Sequence, residues 1–131
     1  MPEPLIGDVP DHVLNELGMR RVDDPECGST LEMDLRPEVC NPHGGLHGGL
    51  MAVLIECGAA GFAVRAGDST NIVATDMVTR FLTATRVGPA RIVGHVVRTG
   101  KRAIVVQADV IDVGADRKLC ATSTLSYARL D

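Results

Sequence analysis

The chain has 131 residues, 45% of them hydrophobic and 23% charged, with a formal net charge of −4, enough for one domain with a real core. A net acidic chain argues against a nucleic-acid binder, whose domain is usually basic. Three aromatic residues in all, Phe62, Phe81 and Tyr127, leave little with which to stack bases or sugars, so the core must come from Val, Leu, Ile, Ala and Met.

In chain order, residues 10 to 18 (PDHVLNELG) read as a short helix started by Pro10 and Asp11 and ended by Gly18. MRRVDD follows as a short strand. STLEMDLRPE alternates Leu31, Met33 and Leu35 with Glu32, Asp34 and Arg36, the period of a half-buried strand. After the glycine-rich stretch NPHGGLHGGL, one helix of about five turns is expected from about 47 to 66, closed by Gly67-Asp68. It is apolar all round, which marks a helix buried on most sides. Four strands follow, NIVATDMVTRFL, ARIVGHVVR, RAIVVQADVID and KLCATSTLSYA, separated by turn-like VGP, TGK and VGADR. Such short breaks imply an antiparallel meander, curled around the helix. The fold class is α+β in one domain, with residues 1–24 as an N-terminal helix and extension.

The N-terminus has no basic region followed by an apolar one, so no signal peptide is expected. The apolar run Leu50–Val64 carries Glu56 and is shorter than a bilayer span. Cys27, Cys40, Cys57 and Cys120 form no CxxC pair, and free thiols in a reducing cytoplasm are the expectation.

Two features point to chemistry. Gly48 and Gly49 stand in the first turn of the long helix, where unpaired N–H groups and the positive end of the macrodipole attract polarised oxygens. Without side chains they suit an oxyanion hole; the alternative is a tight turn feeding a close helix–sheet contact. Glu56 is the only charged residue between His47 and Arg65. A buried carboxylate is costly unless paired or protonated, which makes Glu56 a candidate general base or nucleophile. The alternative is a carboxylate at the helix edge or paired with Arg65. Eight residues separate Gly48 from Glu56, about 12 Å along the helix and about 80° around it. One subunit therefore does not easily bring both to one carbon, whereas two antiparallel helices across a two-fold axis can.

The run Asn41, five residues, His47-Gly48-Gly49, six residues, Glu56 resembles the hotdog-fold acyl-CoA thioesterases of the PaaI/4-hydroxybenzoyl-CoA thioesterase type. TDMVTRFL and VVRTGKRAIVVQADVID resemble that family's strand after the helix and its long hairpin, so the likeness covers roughly residues 25 to 130. The resemblance implies an antiparallel sheet wrapped around the helix, acyl-CoA as substrate, no cofactor, and a homodimer or a tetramer of two dimers. It also implies roles. Gly48 N–H would polarise the thioester carbonyl, Asn41 would orient near it, Glu56 of the facing subunit would attack or activate water, and His47 would shape the turn. Many relatives carry Ser or Thr two residues before the acidic residue of the next strand. Here that position is Ala74, followed by Thr75 and Asp76, and Thr75 can substitute only through a bulge. Gly49 would line the substrate site, and Arg80, Arg98, Lys101 and Arg102 are candidates by charge for the CoA phosphates.

Other readings fit less. Cys40, His43 and His47 have C-x2-H-x3-H spacing but no evident fourth ligand for zinc. There is no GxSxG elbow, no Walker lysine or GxGxxG, and no Asp-to-His spacing of the hydratase kind. The rival outside enzymes is a non-catalytic acyl-CoA-binding or regulatory hotdog module, which would need no carboxylate.

Overall fold

The computed structural model describes residues 5–131. A short helix α1 (Val13–Glu16) leads into β1 (Met19–Asp24) and β2 (Gly28–Met33). The long helix α2 (Gly48–Gly67) follows, then β3 (Ile72–Phe81), β4 (Ala90–Thr99), β5 (Ala103–Asp112) and β6 (Lys118–Arg129). All six strands form one antiparallel sheet in the order β1-β2-β4-β5-β6-β3. The sheet curls around α2, the hotdog arrangement that the resemblance implies.

The four-stranded meander is corrected to three strands. β4, β5 and β6 are successive hairpin neighbours, but β3 lies at the far edge beside β6 and β4 pairs with β2. The VGP break marks a turn within residues 82–89, which carry the chain back across the sheet. Leu82 and Thr83 both donate backbone N–H to the carbonyl of Cys120. The buried Asp112 carboxylate accepts from Arg86, Val87 and Gly88 N–H. A turn signal in sequence states where the chain bends and not which strand it rejoins.

The helix packs through Met51, Leu54, Ile55, Gly58, Ala59, Phe62 and Ala63, all buried. They meet Ile92, Ile104, Val106, Val110, Leu125 and Tyr127 of the sheet, each at most 2% exposed. A Cβ on Gly58 would stand 2.8 Å from Ile92 Cγ1, and one on Gly67 2.7 Å from Ile104 Cδ1, so these glycines let the helix lie close to the sheet. Gly67 is thus the last helical residue, and the left-handed terminating residue is Asp68 at φ 51°. At 20 residues α2 is long and apolar enough to cross a membrane, so the length argument against a span does not hold. What places this helix is its packed face beneath the sheet.

That packing covers only one side. Gly49 and Glu56 are exposed and Ala52, Val53, Cys57 and Ala60 half-buried, so the expectation of burial on most sides is not met within one chain. At the other end of the sheet, Asp24 and Glu32 are buried among Arg91, Arg117 and Arg20. This network ties β1 and β2 to β4 and to the turn before β6.

Candidate active site at the start of the long helix

The loop before α2 is built by Asn41. Its Oδ1 accepts from the backbone N–H of His43 (2.9 Å) and Gly45 (3.2 Å), and its own backbone N–H donates to the Gly45 carbonyl at 2.8 Å. Gly44 completes the turn at φ +84°, a conformation glycine adopts without a steric penalty. Leu46 is anchored from its N–H to the Thr85 carbonyl (3.0 Å), and His47 from its N–H to the Val39 carbonyl (2.9 Å). Arg86 donates a guanidinium N–H to the His43 carbonyl at 2.8 Å. The entry to the helix is therefore held by the 82–89 loop as much as by its own turn.

His47 is the N-cap. Its Nδ1 accepts from Gly49 N–H at 3.1 Å, which needs an unprotonated Nδ1. A Cβ on Gly49 would lie 3.3 Å from that nitrogen, so glycine here makes room for the cap and its N–H is not free for a ligand. Gly48 differs. Its N–H donates to no acceptor among the described residues, and the position of a Cβ is bounded only by the Phe81 ring at 3.6 Å. Gly48, Asn41, Met51, Phe81 and Leu82 line one cleft of about 230 Å³.

Glu56 lies elsewhere on the same helix. With Gly49, Val53, Thr75 and Asp76 it lines a second cleft of about 350 Å³, between α2 and β3. Its exposure overturns the expectation of a buried carboxylate, because its side chain leaves the helix on the face that its own sheet does not cover. No salt bridge joins Glu56 to Arg65 among the described residues; Arg65 instead donates to the Ser29 carbonyl at 2.9 Å and stacks over Phe62. The carbonyl of Glu56 accepts from Tyr127 Oη at 2.8 Å, which fixes the helix backbone at this turn. Burial, and then the Glu56 charge, raise the Tyr127 phenol above its ordinary pKa. The same two causes push the Cys57 thiol up to about 11, far from a thiolate at neutral pH.

Thr75 falls on a bulge. Ala74 pairs with Tyr127 and Asp76 with Ser126, leaving Thr75 as the inserted residue of β3. Thr75 Oγ1 donates to the Ser126 carbonyl at 3.2 Å, and the residue faces the Glu56 cleft. The irregularity that the sequence required for this threonine is present.

The basic candidates are not brought together with these groups. Arg80 lines a separate hollow of about 260 Å³ with Gln107 and Thr122. Arg98, Lys101 and Arg102 are exposed around the β4–β5 turn. Arg86, which the sequence reading missed, is the cation tied to the glycine-rich loop. Some forty residues separate it from Gly45-Leu46, so nothing local in the sequence marks it. No cluster of three or more His, Cys, Asp or Glu suited to a metal occurs among the described residues.

The family model of the Thioesterase superfamily matches residues 43–118, from the glycine-rich loop to the start of β6. The chain belongs to the thioesterase superfamily. Solved structures agree with that membership. A thioesterase from Haemophilus influenzae superposes with a TM-score of 0.75 at 23% identity, covering 90% of this chain and 82% of that one. AziG of S. sahachiroi gives a TM-score of 0.76 at 25% identity, over 91% and 96% of the two chains. A Bacillus halodurans protein whose crystal structure is with CoA gives 0.66 at 25% identity, over 75% of this chain and 64% of that one. No curated protein matches.

Proposed function

We propose that this member of the superfamily is an acyl-CoA thioesterase whose site is shared by two copies of the chain. The observation that carries the reading is the division of labour along α2. One unpaired N–H opens into one cleft, at Gly48. One unpaired carboxylate opens into another, at Glu56. The two stand about two turns apart along the helix, Gly48 beside Phe81 and Glu56 beside Thr75 and Asp76.

A second copy supplies the missing half. β3 is an edge strand with Val78 62% and Phe81 57% exposed, and Leu82, just after it, is 52% exposed; an open edge is a template for pairing with another chain. Joining two β3 edges about a two-fold axis lays the two α2 helices antiparallel, with the Glu56 turn of each beside the Gly48 turn of the other. In such a site the thioester carbonyl oxygen receives Gly48 N–H, and Asn41 holds the loop that aims it. Glu56 of the facing copy takes a proton from water as it attacks, or attacks the carbonyl carbon itself to give an acyl–glutamyl anhydride that water then hydrolyses, releasing the acid and restoring the carboxylate. Collapse of the tetrahedral intermediate breaks the C–S bond. The products are a carboxylate and CoA, whose sulfur takes up a proton. Thr75, on its bulge in the same cleft as Glu56, would hold the water.

The test is thiol release from acetyl-, octanoyl-, palmitoyl- and phenylacetyl-CoA by the parent and by Glu56→Ala. Loss of a general base should lower turnover by about 10² or more. Turnover unchanged in the variant removes Glu56 from the mechanism, and binding of acyl-CoA without any turnover by the parent makes the protein a binding module.

A further inference from the structure

A cavity larger than either of these clefts lies at neither Gly48 nor Glu56. About 410 Å³ opens between the second half of α2, the strand β2 and the segment before α1. Gly61 leaves the space along the helix, Cys57, Gly58 and Val64 flank it, and Leu5, Ile6 and Leu14 close it from above. The covering segment is fastened by Asn15, whose Oδ1 accepts from Ile6 N–H at 2.8 Å and whose Nδ2 donates to the carbonyls of Ile6 (2.9 Å) and Val9 (3.1 Å). The cavity begins at Cys57 and Ala60, the residue after Glu56 and the next turn of the same helix. A chain leaving a carbonyl beside Glu56 therefore has a mainly apolar path along the helix and beneath the N-terminal segment, with Arg21, Ser29, Thr30 and Arg65 also in its lining.

We propose that this cavity holds the acyl tail of the thioester, and that the preferred substrates carry a medium-length alkyl or an arylalkyl acyl group. The inference rests on the proposed function and adds the substrate class. At about 30 Å³ per heavy atom, the share of one molecule in a liquid such as water, the space admits on the order of a dozen atoms. Acetyl leaves it empty and palmitoyl overfills it. The Cys57 thiol, protonated at neutral pH, is an apolar part of the wall.

Gly61 provides the test, because a Cβ there meets only the mobile end of Arg65, at 3.4 Å, and replacing a mid-helix glycine favours the helix. Gly61→Leu fills the cavity without disturbing the core. In the parent, kcat/KM rises about fourfold per methylene from butyryl- to decanoyl-CoA, the gain expected for burying each CH2. In Gly61→Leu, decanoyl-CoA hydrolysis falls by at least about tenfold while acetyl-CoA stays within about twofold. An equal fall at every chain length, or no fall, overturns the proposal. Leu14→Ala is the complement: it enlarges the roof and moves the preferred length upward, and an unmoved optimum also overturns it. Should the parent hydrolyse none of these thioesters, the proposed function fails separately. Calorimetric titration with decanoic acid then decides the cavity: binding at least about tenfold weaker in Gly61→Leu supports it, and equal binding, or none by the parent, overturns it.

Discussion

Asp112→Asn tests whether one buried carboxylate holds the loop behind the glycine-rich turn. Asp112 is 1% exposed. Its Oδ2 accepts from Arg86 N–H at 3.0 Å and Val87 N–H at 3.1 Å, and its Oδ1 from Gly88 N–H at 2.7 Å. Asparagine has nearly the same shape but only one acceptor oxygen. If that oxygen faces Arg86 and Val87, the amide NH2 is set against Gly88 N–H; turned over, it is set against two donors. Bonds to a charged acceptor are worth about 1.5–3 kcal/mol each, and a donor left unsatisfied adds to the loss. A destabilisation of about 2–4 kcal/mol follows, a large part of the total stability of a small domain. Urea unfolding at pH 7, followed by circular dichroism, measures it.

The pH dependence gives a second check on the same residue. Burial works to raise the Asp112 pKa, but the N–H groups of Val87, Gly88, Arg86 and Gly114 outweigh it and hold the carboxyl below its usual value. A folded pKa below the unfolded one, about 3.9 for Asp, gives stability that is present above that pH and lost as the pH falls beneath it. The gap between parent and variant should therefore narrow below about pH 4. A loss under about 0.5 kcal/mol at pH 7, no more than an ordinary surface substitution costs, would refute the reasoning. So would a gap that persists unchanged into acid.

Two further substitutions probe the packing and the ion network. Gly58→Ala sets a methyl carbon 2.8 Å from Ile92 Cγ1; overpacking of about 1–3 kcal/mol, less about 1 kcal/mol of helix propensity, lowers the thermal midpoint by several degrees in a calorimetric scan. Arg117→Ala acts on acid stability. The Arg117 guanidinium, ahead of the Glu26 N–H and Arg91, holds the Asp24 carboxyl well below the usual carboxylate range against the opposing effect of burial. The stability from that depressed pKa is in place above about pH 4 and lost as the pH falls, so removing Arg117 should shift the acid-unfolding midpoint to higher pH. An unmoved midpoint would show that Arg91 alone suffices.

Much of this arrangement is written locally. The long helix declares itself by its apolar run and lack of proline, and β4, β5 and β6 by their turns. β2 forms but not as a half-buried strand, since it ends at Met33 and Thr30 to Met33 are all buried, Glu32 in its ion network included. The pattern Asn41–His47-Gly48-Gly49–Glu56 marks the site we propose. Which strand lies beside β3 is not local. It depends on the 82–89 loop, whose course is fixed by hydrogen bonds to Cys120 and Asp112, residues some thirty positions away. Glu56 was misjudged for a related reason: an apolar helix reads as buried whether its cover comes from its own sheet or from another copy. Gly49 shows a third limit. Two adjacent glycines look equivalent in sequence, yet His47 caps one N–H and leaves the other free. For Thr75 the sequence set only a condition, a bulge in β3, and the register shift between Ala74 and Asp76 meets it.

The shared site is the central claim, and mixing two inactive variants tests it most directly. Gly48→Pro removes the N–H at the first helical position, where proline is well accommodated. His47, at φ −59° and ψ 129°, already has the extended backbone that a residue before proline requires. Losing one oxyanion donor costs about 10²–10³ in turnover. Glu56→Gln removes the carboxylate and keeps its shape. In a mixed dimer of the two variants, one site combines an intact Gly48 with an intact Glu56, and the other has neither. Equal amounts, unfolded and refolded together, should recover about one quarter of parental acyl-CoA hydrolysis, since half the dimers are mixed and each holds one complete site. A mixture that stays at the residual rate of the separate variants, with mixed dimers demonstrated by mass spectrometry, would contradict the shared site.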